Sequence, residues 1–197
     1  MYDSFFKSKL DFFISILGIT FLIPIFLILY IVVKIDSKGP FLFKQERVGK
    51  DRRLFTIYKI RTMTEEASIN SNNKNLEYIT TSINDQRITR IGSYLRKFHL
   101  DEIPQLINII KGEMSLIGVR PDSPSQKNDY SESFWKKRHI AKPGITGLSQ
   151  IKSSKKFFNF RNRNKYDSFY LMHKTKVKLD IYIYIKTVEK IIKGSSY

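Results

Sequence analysis

Phe12 to Val33 is a run of 22 residues without one charged side chain. As a helix rising about 1.5 Å per residue it is roughly 33 Å long, the thickness of one bilayer hydrocarbon core. A secretory signal is a poor description of it. The run is too long, and Lys34-Ile35-Asp36-Ser37-Lys38 offers no small-residue cleavage site. A buried core helix is the bland alternative; membrane association is the expectation. Pro24 lies inside the run, where it removes one backbone hydrogen bond and crowds the preceding turn. It either kinks a spanning helix or bends the segment into a re-entrant one whose two ends share a face, and spacing leaves both open. Lys34, Lys38, Lys44, Arg47, Lys50, Arg52 and Arg53 follow closely. That cluster places the C-terminal side in the cytoplasm.

Charge is divided as sharply as hydropathy. Lys and Arg number 35 against 18 Asp and Glu, for a net charge of +17 in 197 residues. The first 33 residues contribute nothing to it, because Lys7 and Lys9 balance Asp3 and Asp11. The rest is a strongly cationic portion that calls for an anionic neighbour: nucleic acid, phospholipid headgroups or a phosphorylated substrate. A hydrophobic content of 42% excludes a disordered basic tail. With no Cys there is no disulfide framework, thiolate nucleophile or cysteine metal site.

The pattern beyond the membrane segment predicts an α+β domain, mostly helical, with a small β-hairpin. We divide the chain into a membrane-anchoring helix over 1–35 and a cytoplasmic domain over 36–197. Phe41-Leu42-Phe43 and Leu54 to Tyr58 read as strands about a turn near Gly49. Residues 64–86 read as a polar loop or weak helix. Ile91, Leu95 and Phe98 predict one helix. Ile103, Leu106, Ile107 and Ile110 predict a second, capped by Asp101 and stopped by Gly112. Residues 118–125 and 141–149 read as Gly/Pro loops. A last helix spans about 176–193, with Ile181, Ile185, Val188 and Ile192 on one side and Lys186, Lys190 and Lys193 on the other. That helix either lies on anionic lipid or packs on its own domain.

The phosphate loop G-x-x-x-x-G-K-[ST], the G-x-G-x-x-G fingerprint, H-E-x-x-H and D-x-D are all missing from the sequence. What remains is the adjacent pair Asp101-Glu102. Read plainly, these residues cap a helix and complement its dipole. The same position can hold a carboxylate ionised beside phosphate, as a nucleophile or as a partner of a divalent cation. Lys59, Arg61, Arg87, Arg90, Arg96, Lys97 and Arg120 supply cations along the neighbouring sequence, as phosphoryl transfer requires. Ser153 to Lys165 interleaves basic and aromatic residues, which suits single-stranded nucleic acid or a membrane interface; beside an apolar segment the membrane is favoured.

The stretch Asp85 to Pro121, with Lys59-Ile-Arg-Thr-Met63, Lys142-Pro-Gly-Ile-Thr-Gly147 and the apolar N-terminus with Pro24, resembles the bacterial sugar transferases, the monotopic phosphoglycosyl transferases. The likeness covers nearly the whole chain, in order. It implies transfer of a phosphosugar from a UDP-sugar to polyprenyl (undecaprenyl) phosphate, with release of UMP, as the first membrane step of glycan assembly. Under this resemblance Asp101 is the nucleophile of a covalent phosphosugar–aspartate and Glu102 supports it. Both would bind Mg2+. Lys59, Arg61, Arg96 and Arg120 would contact substrate phosphate, Arg120-Pro121 would form the nucleotide loop, and Pro24 the membrane bend. The implied setting is the cytoplasmic face of a bacterial inner membrane, with a re-entrant N-terminal helix and interfacial amphipathic helices. Nucleic acid is not an expected partner, and a homo-oligomer stays open. The alternative is a membrane-anchored member of the same family that binds or scaffolds without catalysis.

Overall fold

The fold comes from a computed structural model that describes residues 4–64, 85–152, 160–173 and 176–194. Helix α1, Ser4–Asp36, runs unbroken through Pro24. Its long apolar side chains face outward, among them Phe5, Phe13, Phe21, Leu27 and Ile31, and only 6% of its most apolar window is buried by the rest of the protein. The buried-core alternative is therefore excluded: this helix presents its apolar surface to a surrounding medium.

Polar groups hold α1 near its start. Lys7 pairs with Asp180 at 2.7 Å, Ser8 Oγ accepts from Lys142 Nζ at 3.0 Å, and Asp11 accepts from Ser115 Oγ. Near its end Asp36 accepts the Ile91 N–H at 3.2 Å, and Val33 is buried with Ile60 and Leu95. One domain thus grips both ends of the helix.

Strands β1, Leu42–Val48, and β2, Leu54–Ile60, form the expected antiparallel hairpin, with Leu42 opposite Ile60 and Val48 opposite Leu54. Side chains alternate, so Phe55 and Ile57 turn inward against Ile109 and Met114. Lys59 continues that face. A second pair was not expected: β3, Ser115–Ile117, just before the segment 118–125 that reads as a loop, lies parallel to β4, Gly144–Thr146, within the segment 141–149 that also reads as a loop. The backbones cross so closely there that a Cβ on Gly144 would stand 2.0 Å from the Gly118 nitrogen. Glycine serves as packing at this point, and its loop-like composition hid the strand.

Helix α2, Arg90–Lys97, begins at Thr89, whose side chain accepts the Gly92 N–H. It packs so tightly that a Cβ on Gly92 would lie 2.2 Å from the Thr62 carbonyl oxygen. The next element corrects the sequence reading. A 3-10 turn over Leu100–Gln105 precedes a short helix α3, Leu106–Ile110. His99, in the left-handed region at φ 56°, occupies the N-cap position; Asp101 stands in the first turn. Pro104 sits within that 3-10 turn. Gly112, at φ +77°, ends the element as expected.

Helices α4, Glu132–Arg138, α5, Leu148–Lys152, α6, Phe160–Met172, and α7, Lys176–Lys193, complete the described fold. Helix α7 buries Asp180 and Ile183, while Ile181, Ile185, Val188 and Ile192 are exposed. Its apolar stripe is thus exposed rather than packed against the described residues of the domain. Most of the polar segment 64–86, and residues 153–159 of the basic aromatic stretch, lie outside the described residues.

Candidate active site

Asp101 and Glu102 are adjacent in one 3-10 turn and both are buried, at 8% and 7% exposure. Strand β2 brings Lys59 to them: its Nζ lies 2.7 Å from Glu102 Oε1. The loop after β3 brings Arg120, whose guanidinium is 3.6 Å from the same oxygen. From the last turn of α2, Arg96 donates to Thr62 Oγ1 at 2.8 Å and places its charge beside Asp101. Lys59, Glu102, Arg120 and Pro121 line a small solvent-open cleft, together with Arg47 and Arg163. Of the eight sequence-derived site residues, Lys59, Glu102, Arg120 and Pro121 line the cleft; Asp101, next to Glu102, and Arg96 interact electrostatically with this group but are not among the lining residues.

Two neighbouring carboxylates have opposite proton affinities there. Burial lifts the Asp101 carboxyl to about 6; Lys59, Arg96 and Arg120 oppose that lift, and the charge of Glu102 adds to it. Glu102 is equally buried, yet Lys59 and then Arg120 outweigh burial and hold it near the bottom of the carboxylate range. Glu102 is thus the fixed anion that keeps two cations on the wall. Asp101 titrates near neutrality, as an activated nucleophile or a proton-transferring group would.

Arg61 is the exception. It is 2% exposed, and its guanidinium donates to Ser37 O at 2.6 Å and Ser37 Oγ at 3.0 Å. The structure uses it to tie the link after α1 to the end of β2, and it is not among the residues lining the cleft. Pro24 lies within α1, remote in sequence from the dyad and inside an intact helix.

Several residues of this region escaped the sequence reading. Arg47 and Arg163 line the cleft. Behind it, Asp122 accepts from both Arg138 and Arg163, and Asp167 accepts from Arg138, all of them buried. Arg163 and Asp167 stand at i, i+4 on α6, a spacing that signals an ion pair. The surrounding Lys, Arg and aromatic residues masked it as a surface stretch. Likewise Arg138 follows Lys136-Lys137, a local pattern that does not distinguish a buried cation from a solvated one.

For a metal, the site offers two carboxylates. Among the described residues no cluster of three or more His, Asp or Glu side chains exists. Mg2+ commonly takes one or two carboxylates and completes its shell with substrate phosphate and water, so the pair fits an ion that arrives with a diphosphate.

A family model described as bacterial sugar transferase matches residues 2–194. Over 194 residues the chain is 34% identical to a UDP-N-acetylgalactosamine-undecaprenyl-phosphate N-acetylgalactosaminephosphotransferase of Aeromonas hydrophila, covering 97% of this chain and 44% of that protein. It is 35% identical over 199 residues to a UDP-glucose:undecaprenyl-phosphate glucose-1-phosphate transferase of Klebsiella pneumoniae, covering 98% and 41%. It therefore spans less than half the length of these relatives. Against the exopolysaccharide production protein PSS of Rhizobium leguminosarum bv. phaseoli, at 37% identity, coverage is 76% of this chain and 75% of that one. With the match running through anchor, dyad and cleft alike, the chain belongs to the bacterial sugar transferase family.

Proposed function

We propose that this chain is an enzyme that transfers a phosphosugar from a UDP-sugar to polyprenyl phosphate at the cytoplasmic face of a bacterial inner membrane. The observation that carries the reading is the buried Asp101-Glu102 pair, whose proton affinities are split by Lys59 and Arg120, with Glu102 itself on the wall of a cationic cleft. The names of the relatives, phosphotransferases acting on undecaprenyl phosphate, support the same class of acceptor and donor.

Asp101, ionised, attacks the phosphorus that bears the sugar. The bond from that phosphorus to the bridging oxygen breaks, and UMP leaves with the electron pair. The phosphosugar is then held on Asp101 as an acyl phosphate. An oxygen of polyprenyl phosphate attacks the same phosphorus, the Asp101 carboxylate departs, and polyprenyl diphosphosugar is formed. Splitting a direct exchange between two anions into two in-line steps is the gain of a covalent nucleophile. Lys59, Arg96 and Arg120 stabilise the charge on the transferring phosphoryl oxygens. Glu102 holds Lys59 and Arg120 in place before the donor arrives. Asp101 and Glu102 would hold Mg2+, which when bound neutralises diphosphate charge.

Membrane placement follows from α1. A helix held at both ends by one polar domain has both ends on that domain's side, so we read α1 as entering the bilayer from that side without crossing it, even though the helix continues through Pro24. The exposed stripe of α7, joined to α1 by Lys7–Asp180, lies on the same interface. This arrangement lets one cleft meet a soluble donor and a lipid-borne acceptor.

The test is UMP release in nanodiscs containing polyprenyl phosphate and magnesium, with a panel of UDP-sugars and with wild type and Asp101→Asn in parallel. Release by wild type alone is the expected result. Equal release by both would remove Asp101 from the chemistry, and no release from any donor would overturn the reading.

A further inference from the structure

Behind the cleft lies a buried charge cluster, of whose acidic and arginine members only Arg163 also lines the cleft. Asp122 and Arg138 are fully buried and Asp167 nearly so, while Arg163 is 6% exposed. Arg138 reaches Asp122 through Nε and Asp167 through NH1, and its NH2 donates to the Arg120 carbonyl at 3.0 Å. Arg163 NH2 donates to Asp122 Oδ1 and lies 3.5 Å from the same carbonyl. Tyr130 donates its hydroxyl to Asp122 Oδ1 at 3.0 Å, and His139 Nε2 stands 3.5 Å from Asp122 Oδ2. The main chain of Asp122 is fixed as well, by the Val48 N–H on its carbonyl at 2.9 Å.

A buried set of two arginines and two aspartates is a poor stabiliser for its size, since desolvating the ions offsets their attraction. What such a set does well is hold a fixed geometry. Here the groups held are the backbone of Arg120 and the residue that follows Pro121. The guanidinium of Arg120 faces the other way, toward Glu102. Among the members of the cluster, Arg163 also lines the cleft; Arg138 and Asp167 do not.

We propose that Arg138 is a positioning residue for the reaction: clamped between Asp122 and Asp167, it anchors the Arg120 carbonyl and so aims the Arg120 guanidinium at the donor phosphates. This rests on the function proposed above only for what Arg120 contacts. The placement of Arg120 by Arg138 stands on the hydrogen bonds alone.

A double-mutant cycle on the full-length chain in nanodiscs tests it. Arg138→Met and Arg120→Met are made singly and together, with folding checked by near-UV circular dichroism, and each is read as kcat/KM for UMP release. Arg138→Met is expected to lower kcat/KM at least tenfold in the wild-type background and less than twofold in the Arg120→Met background. Losses that multiply would overturn the proposal, because a purely structural arginine weakens both backgrounds alike. Should Arg138→Met fail to fold, Asp167→Asn replaces it, loosening Arg138 without removing its bulk. If wild type releases no UMP, the proposed function fails. The cycle is then read on affinity for UDP, where coupling supports the anchoring role and independent losses refute it.

Discussion

Lys59 Nζ stands 2.7 Å from Glu102 Oε1, and the ion pair separates two carboxylates that are neighbours in the chain. Without that lysine, two buried acids would share a turn with Arg120 as the nearest remaining cation on Glu102. Lys59→Met should therefore lower kcat/KM for UMP release by about a hundredfold, as removal of a charge-stabilising donor does. Lys59→Arg should recover part of the loss. Steady-state rates of the three proteins check this; an unchanged Lys59→Met would detach the pair from the chemistry.

Rate should follow the ionisation of Asp101. Its carboxyl is lifted to about 6, and only the ionised form attacks phosphorus. Consequently kcat/KM should rise tenfold per pH unit below 6 and level off above it. A profile flat from pH 5 to 8 would show that Asp101 is ionised throughout or uninvolved.

Stability should follow the same group in the opposite sense. Asp101 binds its proton more tightly folded, at about 6, than unfolded, at 3.8. Between those values the native state carries the extra proton, so stability falls as pH rises and the deficit is complete above 6. Asp101→Asn should thus stabilise the protein at pH 8 by up to about 3 kcal/mol, with the gain disappearing below pH 4. Melting curves at the two pH values check the sign. A variant less stable than wild type at pH 8 would contradict it.

Arg61 should behave as a structural residue. Its guanidinium is buried on Ser37, so Arg61→Lys should lower stability by about 1–3 kcal/mol, the cost of poorly satisfied buried donors. Below its melting temperature the variant should keep kcat/KM within roughly threefold of wild type. A selective rise in KM for the donor would return Arg61 to the phosphate site.

The grip on both ends of α1 predicts topology. The chain has no cysteine, so Phe5→Cys and Lys38→Cys supply single labelling sites at exposed positions. Both should react with a membrane-impermeant maleimide from the same side of sealed vesicles. Reaction from opposite sides would establish a spanning helix.

The sequence made some of this legible because the forces involved are local. The uncharged run of α1, the alternation of β1 and β2 and the periodicity of α2 and α7 are written in consecutive residues. Asp101-Glu102 was conspicuous because two adjacent acids stand out in a basic chain. Its cap reading failed because Pro104 and the left-handed His99 build a 3-10 turn where a regular helix was expected. The β3–β4 pair was hidden because three-residue strands carry little pattern, and Gly144 in β4 and Gly118 just after β3 imitate loops. Arg138 and Arg163 were illegible for another reason: their partner Asp122 is 16 and 41 residues away, so only the folded chain distinguishes them from surface cations.

The account turns on a covalent bond at Asp101, and intact-mass measurement reads it directly. Purified wild type is mixed with the UDP-sugar it turns over and magnesium, with no polyprenyl phosphate present, and quenched rapidly. The account predicts an added mass of one phosphosugar, located on the peptide that carries Asp101, together with release of UMP. It also predicts loss of the adduct on adding polyprenyl phosphate, and none in Asp101→Asn. An unmodified enzyme that releases UMP only when the acceptor is present would contradict it, since that is direct transfer without the aspartate.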